Sequence, residues 1–524
     1  MNSVSLVTAN TQLVTTPVTT TVPVSEDKTV DSLANSPASV VMLGQNDKVT
    51  DATTYSSRGS LADTDPVYSL EKDVQNAVTR SLIGNLSTTA TAGRFQGLGA
   101  TLLEQLAKDG STSISQSVIR SAAGDVKDAA ALKSAQAELH GKADNTITLT
   151  LKTASGATIT LNLSSQDDGL AVQANVTGGR LSEEERAALG SLADAFQGAI
   201  DGLTAKPPRL NLGSLGDLDP EMFSSIELSG SLKLGKDQFQ TLSFKADEQN
   251  RSINMSGPTG TIALDVDNNS AILGNAQQQA AAVKSYLEQF DAAQKRGDGD
   301  KNLMTLFKDA FSTLQTTTKS LNSTSGPALT NVDRSIVSGL ADFDVSLTQT
   351  TQYLNPMRSA EEDKFAYKSS QSTETKGTSS ADRSVEQKQT SSLNASYHTS
   401  IYPGTALALS KDAESQNYAY HQIEDTASST TRIGYAKGKL IEASFTQTAS
   451  QSTNVLKYEM GRLVDTVSTP KEVDRSYNLI GMIDEALRND RNSRVATGKS
   501  TLEDELVEIH AKVLLRATPF SKFS

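Results

Sequence analysis

The sequence predicts an α+β protein: blocks of antiparallel β-sheet, each followed by amphipathic helices, behind a disordered N-terminal tail. Three observations predict it. Apolar residues alternate in two separate stretches, from residue 146 and from residue 226. Each stretch gives way to apolar spacings of three and four, at Leu189, Leu192, Phe196, Ile200 and Leu203 and again at Leu303, Leu306, Phe307, Ala310 and Leu314. Strands and helices come in groups, which separates the pattern from the βαβ alternation of a parallel doubly wound sheet.

The tail comes first. Residues 1–65 interleave Thr and Ser with Val and Leu, are broken by Pro17, Pro23 and Pro37, and carry no charged side chain before Glu26. No helical or strand period survives in such text. It lacks the basic region and continuous apolar core of a secretory signal peptide. Uncharged Ser/Thr-rich N-termini of this kind resemble those taken by type III and flagellar export machines; the plain alternative is a disordered tail with no address. Residues 66–140 are then expected to be helical. Leu70, Val74, Val78 and Leu82 share one helical face, Phe95, Leu98, Leu102 and Leu106 another, and an Ala-rich helix is expected over 125–140.

The period then changes to two. Strands are expected over 146–151, 158–163 and 170–176, joined by turns at Ala154-Ser155-Gly156 and Asp167-Asp168-Gly169, as a meander with one buried face. Ser182 opens the next helix as a capping box: its hydroxyl takes the amide of Glu185, whose carboxylate reaches back. Glu183, Glu184 and Glu185 suit the positive end of that helix, and Pro207-Pro208 stops it. Four or five further strands are expected through Val266, then two helices built on Val283, Leu287 and Phe290 and on residues 303–314. A Ser/Thr-rich linker at 316–327 divides a first domain, 66–320, from a β-rich region, 330–518. There, Lys437-Gly438-Lys439 marks a hairpin, 368–395 is open between strand and disorder, and two helices close the chain. Ser500 with Glu503 forms the expected cap of the last one.

At 524 residues the chain is long enough for two or three folded units. Its net charge is -13, which disfavours nucleic-acid binding because acidic surfaces repel phosphate backbones. No apolar run approaches the ~20 residues that span a bilayer, so no transmembrane segment is expected. There is no Cys, which removes disulfides, thiolate chemistry and cysteine metal sites and points mildly to bacterial export.

The motif with most chemical content is a weak calcium candidate. Asp298, Asp300 and Asn302 occupy alternate positions of a GDGDKN loop, with Asp309 at the twelfth, and alternating oxygen ligands in a tight loop suit Ca²⁺. Leu303 stands where the loop needs Gly, and Asp309 is shorter than the usual Glu. The structural reading is a helix–helix turn capped by Asp300 or Asn302. Arg296-Gly297-Asp298 spells an integrin-type tripeptide within the same turn. Residues 496–501 carry only the end of a phosphate-loop pattern, without its first Gly or its strand. The four His (His140, His398, His421 and His510) lie at no metal-ligand spacing and read as core-edge or exposed residues. Glu361-Glu362-Asp363 offers paired carboxylates of the type used in glycoside hydrolysis, in a chain without Trp platforms. Apart from calcium, no cofactor is expected.

The stretch GLAVQANVTGGRLSEEERAALGSLADAFQGAIDGL at 169–203, together with the Tyr/Thr/Gln-rich text at 417–465, resembles segments of uncharacterised Gram-negative bacterial proteins. The resemblance covers about a third of the chain and implies no activity. The function expected is that of a non-enzymatic protein, secreted or at the cell surface, meeting a protein partner through its polar strands. A cytosolic scaffold binding through its helices and a hydrolase with a spatially assembled site are the alternatives.

Overall fold

The computed structural model describes residues 40–41, 67–121, 128–216, 219–269, 273–315 and 327–517. The tail expected to be disordered lies outside them, apart from a two-residue strand, β1 (Val40–Val41), that pairs with β2 (Val67–Leu70). The sequence then runs α1 (Ala77–Leu86), α2 (Thr91–Phe95), α3 (Leu98–Asp109), β3 (Ser113–Ser121) and α4 (Ala129–Gly141). This corrects the wholly helical expectation for 66–140, because Leu70 belongs to a strand and β3 interrupts the helices. Its two faces are both covered. Val118 enters the main core, while Ile119 packs with Leu132, Leu139 and Ala171 under α4, so no one-sided alternation marks it. The buried Gln116 adds polar text, satisfied by Lys72 O and the Thr79 hydroxyl.

The expected meander forms as β4 (Asn145–Thr153), β5 (Thr158–Gln166) and β6 (Gly169–Thr177), with Ile147, Leu149, Leu151, Ile159, Leu161 and Leu163 all inward. The Ser182 capping box is present, with Glu185 N donating to Ser182 Oγ (3.1 Å) and Ser182 N donating to Glu185 Oε2 (2.8 Å). The single helix expected after it is two, α5 (Glu183–Ser191) and α6 (Ala193–Thr204), which meet at Leu192. Four strands follow: β7 (Phe223–Gly235), β8 (Gln238–Asp247), β9 (Asn250–Gly257) and β10 (Gly260–Asp267). Then come α7 (Ala276–Gly297) and α8 (Lys301–Gln315).

The remainder comprises α9 (Asn331–Ser335), β11 (Asp342–Gln349), β12 (Lys364–Lys376), β13 (Ser384–Ser400), β14 (Tyr418–Ala436), β15 (Lys439–Glu459), β16 (Arg462–Ser468), β17 (Lys471–Asn478), α10 (Ile480–Thr497) and α11 (Leu502–Val513). The stretch 368–395 left open by the sequence is thus mostly strand. The hairpin at Lys437-Gly438 turns on two residues with positive φ, 52° and 75°, as a two-residue loop between right-twisted strands requires. The last helix is capped differently from expectation. Asp490 of α10 reaches across to accept from Thr501 N (2.9 Å), Leu502 N (3.1 Å) and Ser500 Oγ (2.6 Å), and Glu503 takes no part.

Beyond β1, sixteen strands among the described residues form one antiparallel sheet. Pairing runs β2–β3–β6–β5–β4–β7 and then in chain order to β15. Both β16 and β17 lie along the outer side of β15. The sheet does not stop at the expected linker, since β10 and β11 pair along their whole lengths across it. One apolar core likewise runs from Leu70 to Ile423, with Phe290 of α7 edge-on to Phe307, Phe311 and Tyr367. A second, smaller core gathers α9, α10 and α11 over Val385, Ile433 and Phe445.

Candidate functional site

From β12 to β15 the odd-numbered side chains around Val385, Ile423, Ile433 and Phe445 face the helices. The even-numbered ones point the other way and are hydroxyl-rich. Ser370, Thr390, Ser428 and Thr448 stand directly opposite one another on four successive strands. Two of these neighbours are hydrogen-bonded at 2.8 Å, Ser370 with Thr390 and Ser428 with Thr448. Ser and Thr at such positions satisfy one another and water without charge, which is what a solvated β-face needs.

At one end of the strands this outer face becomes buried, beneath the segments 350–363 and 401–417. His398 of β13 stands opposite Tyr420 of β14, and Tyr418 opposite Tyr458 of β15. The His398 side chain has no exposure, and both ring nitrogens meet carboxylates: Nδ1 meets Asp363 Oδ1, and Nε2 meets Glu361 Oε2 at 3.2 Å. Tyr418 donates its hydroxyl to Glu361 Oε2 (2.6 Å) and accepts from Asn355 Nδ2 (2.9 Å). Burial first, and then the Glu361 carboxylate, push the Tyr418 phenol well above its ordinary range, so it remains a donor. Arg358 lies 4.3 Å over the Tyr458 ring and donates to Gly461 O (3.0 Å).

Beside this cluster the outer face opens into a polar groove of about 480 Å³. Its floor is Asn394, Gln422 and Asn454 with Ser452 and Ser468; Glu362, Lys364 and Glu424 supply charge. Tyr420 closes one wall, its hydroxyl held between Glu362 N (3.2 Å) and Glu362 O (3.1 Å). Ser396 Oγ donates to Glu362 O (2.6 Å). Chemically the groove offers amides, hydroxyls and both signs of charge. The His398 imidazole beside it is sealed behind carboxylates, and the Ser396 hydroxyl is turned to a backbone carbonyl.

Sequence reasoning noted Glu361-Glu362-Asp363 and His398 separately and did not join them. Register brings the segments together without joining the side chains. β12 and β13 pair with Lys364 opposite Ser396, which carries 361–363 towards 397–399. A continued ladder would set Glu362, not Glu361 and Asp363, on the His398 face, so the contacts need the chain to leave the ladder before Lys364. The other three His also have partners: His140 with Glu71 (2.9 Å), His421 with the Thr399 hydroxyl (2.9 Å) and His510 with Ser338 O (3.0 Å).

The calcium candidates are placed as follows. Asp298 ends α7 in the left-handed conformation (φ 52°), and Asp300 Oδ1 takes the Leu303 amide (2.7 Å), capping α8. Asn302 lies in the first turn of α8, exposed. Asp309 is held in a two-point bond by Arg209 (2.6 and 3.0 Å). Among the described residues no group of three His, Asp or Glu is arranged to hold a metal ion. Arg296 of the adjoining tripeptide is packed inward, paired with Asp425 (2.5 and 2.9 Å). No described helix is long and apolar enough to cross a membrane. No family model matches the chain, and neither a curated protein nor a solved structure is similar to it.

Proposed function

We propose that this is a non-enzymatic bacterial interaction protein, secreted or displayed at the cell surface, that takes a protein partner on the outer face of its β12–β15 sheet. The observation that carries the reading is the polar groove on that face, open to solvent and rich in amides and hydroxyls. Those groups match a partner's backbone and polar side chains and leave no nucleophile poised for chemistry. The export half rests on the uncharged Ser/Thr-rich N-terminus and the missing Cys. It is tested by fractionating the native host into cytosol, surface and medium with a lysis control, for the full chain and for a deletion of residues 1–65. Full-length protein in the medium, or cut by protease on intact cells, and a deletion variant retained in the cytosol are the expected results. Full-length protein confined to the cytosol overturns the proposal, and normal export of the deletion variant removes the tail from it.

The hydrolase reading draws on one arrangement, His398 between Glu361 and Asp363. Its burial and double engagement favour a structural knot that ties 355–363 to the sheet.

A further inference from the structure

The groove ends at Ser468, on the last strand of the sheet. β16 and β17 are one strand in two pieces. From Asp465 to Asn478 their residues hold a constant register against β15, with Asp465 opposite Lys457, Lys471 opposite Gln451 and Asn478 opposite Ser444. Thr469 N donates inward to Thr453 O (2.9 Å), so the ladder is unbroken between them. Backbone direction alternates along a strand, so Thr466, Ser468 and Pro470 turn their nitrogens outward. The proline therefore takes nothing from the β15 ladder and removes one donor from the outer edge. No described strand pairs with that edge. All of β16 is exposed, and Val467 and Leu463 are 46% and 51% exposed.

We propose that this edge pairs with the same edge of a second copy, antiparallel about a two-fold axis at Ser468. A two-fold perpendicular to the sheet keeps each face on its own side, so only residues on one face meet. Centred on Ser468, the pairing sets Asp465 opposite the other copy's Lys471, twice, with Val467 opposite Thr469 and Thr466 opposite Pro470. Asp465 then stands between Lys457 of its own chain and Lys471 of the other, an alternation of sign along one row. Two other registers do worse. Centring on Asp465 opposes two carboxylates, and centring on Pro470 puts both donorless residues in one hydrogen-bonded pair. Pro470 thus excludes one register instead of blocking all of them. The contact adds to whatever bonds Lys471 makes within its own chain. Because faces are preserved, the two polar grooves meet at the axis as one trough.

The test is the mass in solution of the folded full chain, by sedimentation at micromolar concentration, for the natural protein, Asp465→Lys, Lys471→Asp and the double variant. Each single change places like charges opposite one another at two symmetric points and is expected to weaken the dimer about tenfold; the double variant restores opposite charges and the dimer. Circular dichroism checks that each variant folds. A monomeric natural protein overturns the inference, as do singles that dimerise normally or a double variant that stays weak. The result is separable from the export reading, since a monomer found in the medium would sink the pairing alone.

Discussion

Glu71 shows how a single carboxyl contributes to the acid sensitivity of this fold. Burial works to raise its pKa. The hydrogen bond from His140 and those from Ser115 and Ser117 outweigh it and hold the group down to about 2, against 4.5 for the free side chain. A folded-state pKa below the unfolded one stabilises the fold above pH 4.5, and that contribution is lost as pH falls from 4.5 towards 2. Glu71→Gln is expected to cost about 1–2 kcal/mol at neutral pH, after discounting for partial exposure, and to flatten the stability curve over that window. Urea unfolding at several pH values reads this, and an unchanged acid slope would contradict it. Neither Glu71 nor its partners announces the arrangement in sequence, because His140 is 69 residues away and arrives only when α4 crosses β3 and β6.

Among the elements, helix caps separate what is local from what is not. The Ser182–Glu185 box is encoded within four residues and forms as read. Ser182→Ala is expected to lower stability by about 1 kcal/mol, seen as a lower thermal midpoint, with Ser182→Gly costing less. The cap of α11 comes instead from Asp490, a full helix earlier, which no local pattern names. The strands divide in the same way. β4 buries one face and alternates cleanly, and β5 and β6 do so over part of their length, whereas β3 buries both faces over Gln116–Ile119 and has no period to find there. The His398 site is legible in part: its carboxylates stand out in the text, but their meeting with the imidazole depends on a hairpin whose strands read equally well as polar disorder.

Taken as a whole, the sheet is the unit of the molecule, since β10 and β11 pair along their whole lengths on either side of the expected division near 320–330. Phe290 sits where α7 and α8 cover β11 and β12, within a core shared with β4 to β6. Phe290→Ala is therefore expected to cost about 3–5 kcal/mol. Hydrogen exchange should quicken in β4–β6 as well as in β11–β13; protection lost only in the second set would mean two independent units. Hydrophobic patterning could not show this continuity, because alternation reports which face a strand buries and not which strand lies beside it. The two margins of the sheet are also unlike. Among the described residues one ends in the continuous β16–β17 strand, while the other tapers through four residues of β2 to the two of β1. A protein with two long bare margins can add copies without limit and grow into a fibre. Among the described residues only the β16–β17 margin is long enough to template another chain, so the pairing proposed above would close at two, with the taper as a stop against polymerisation.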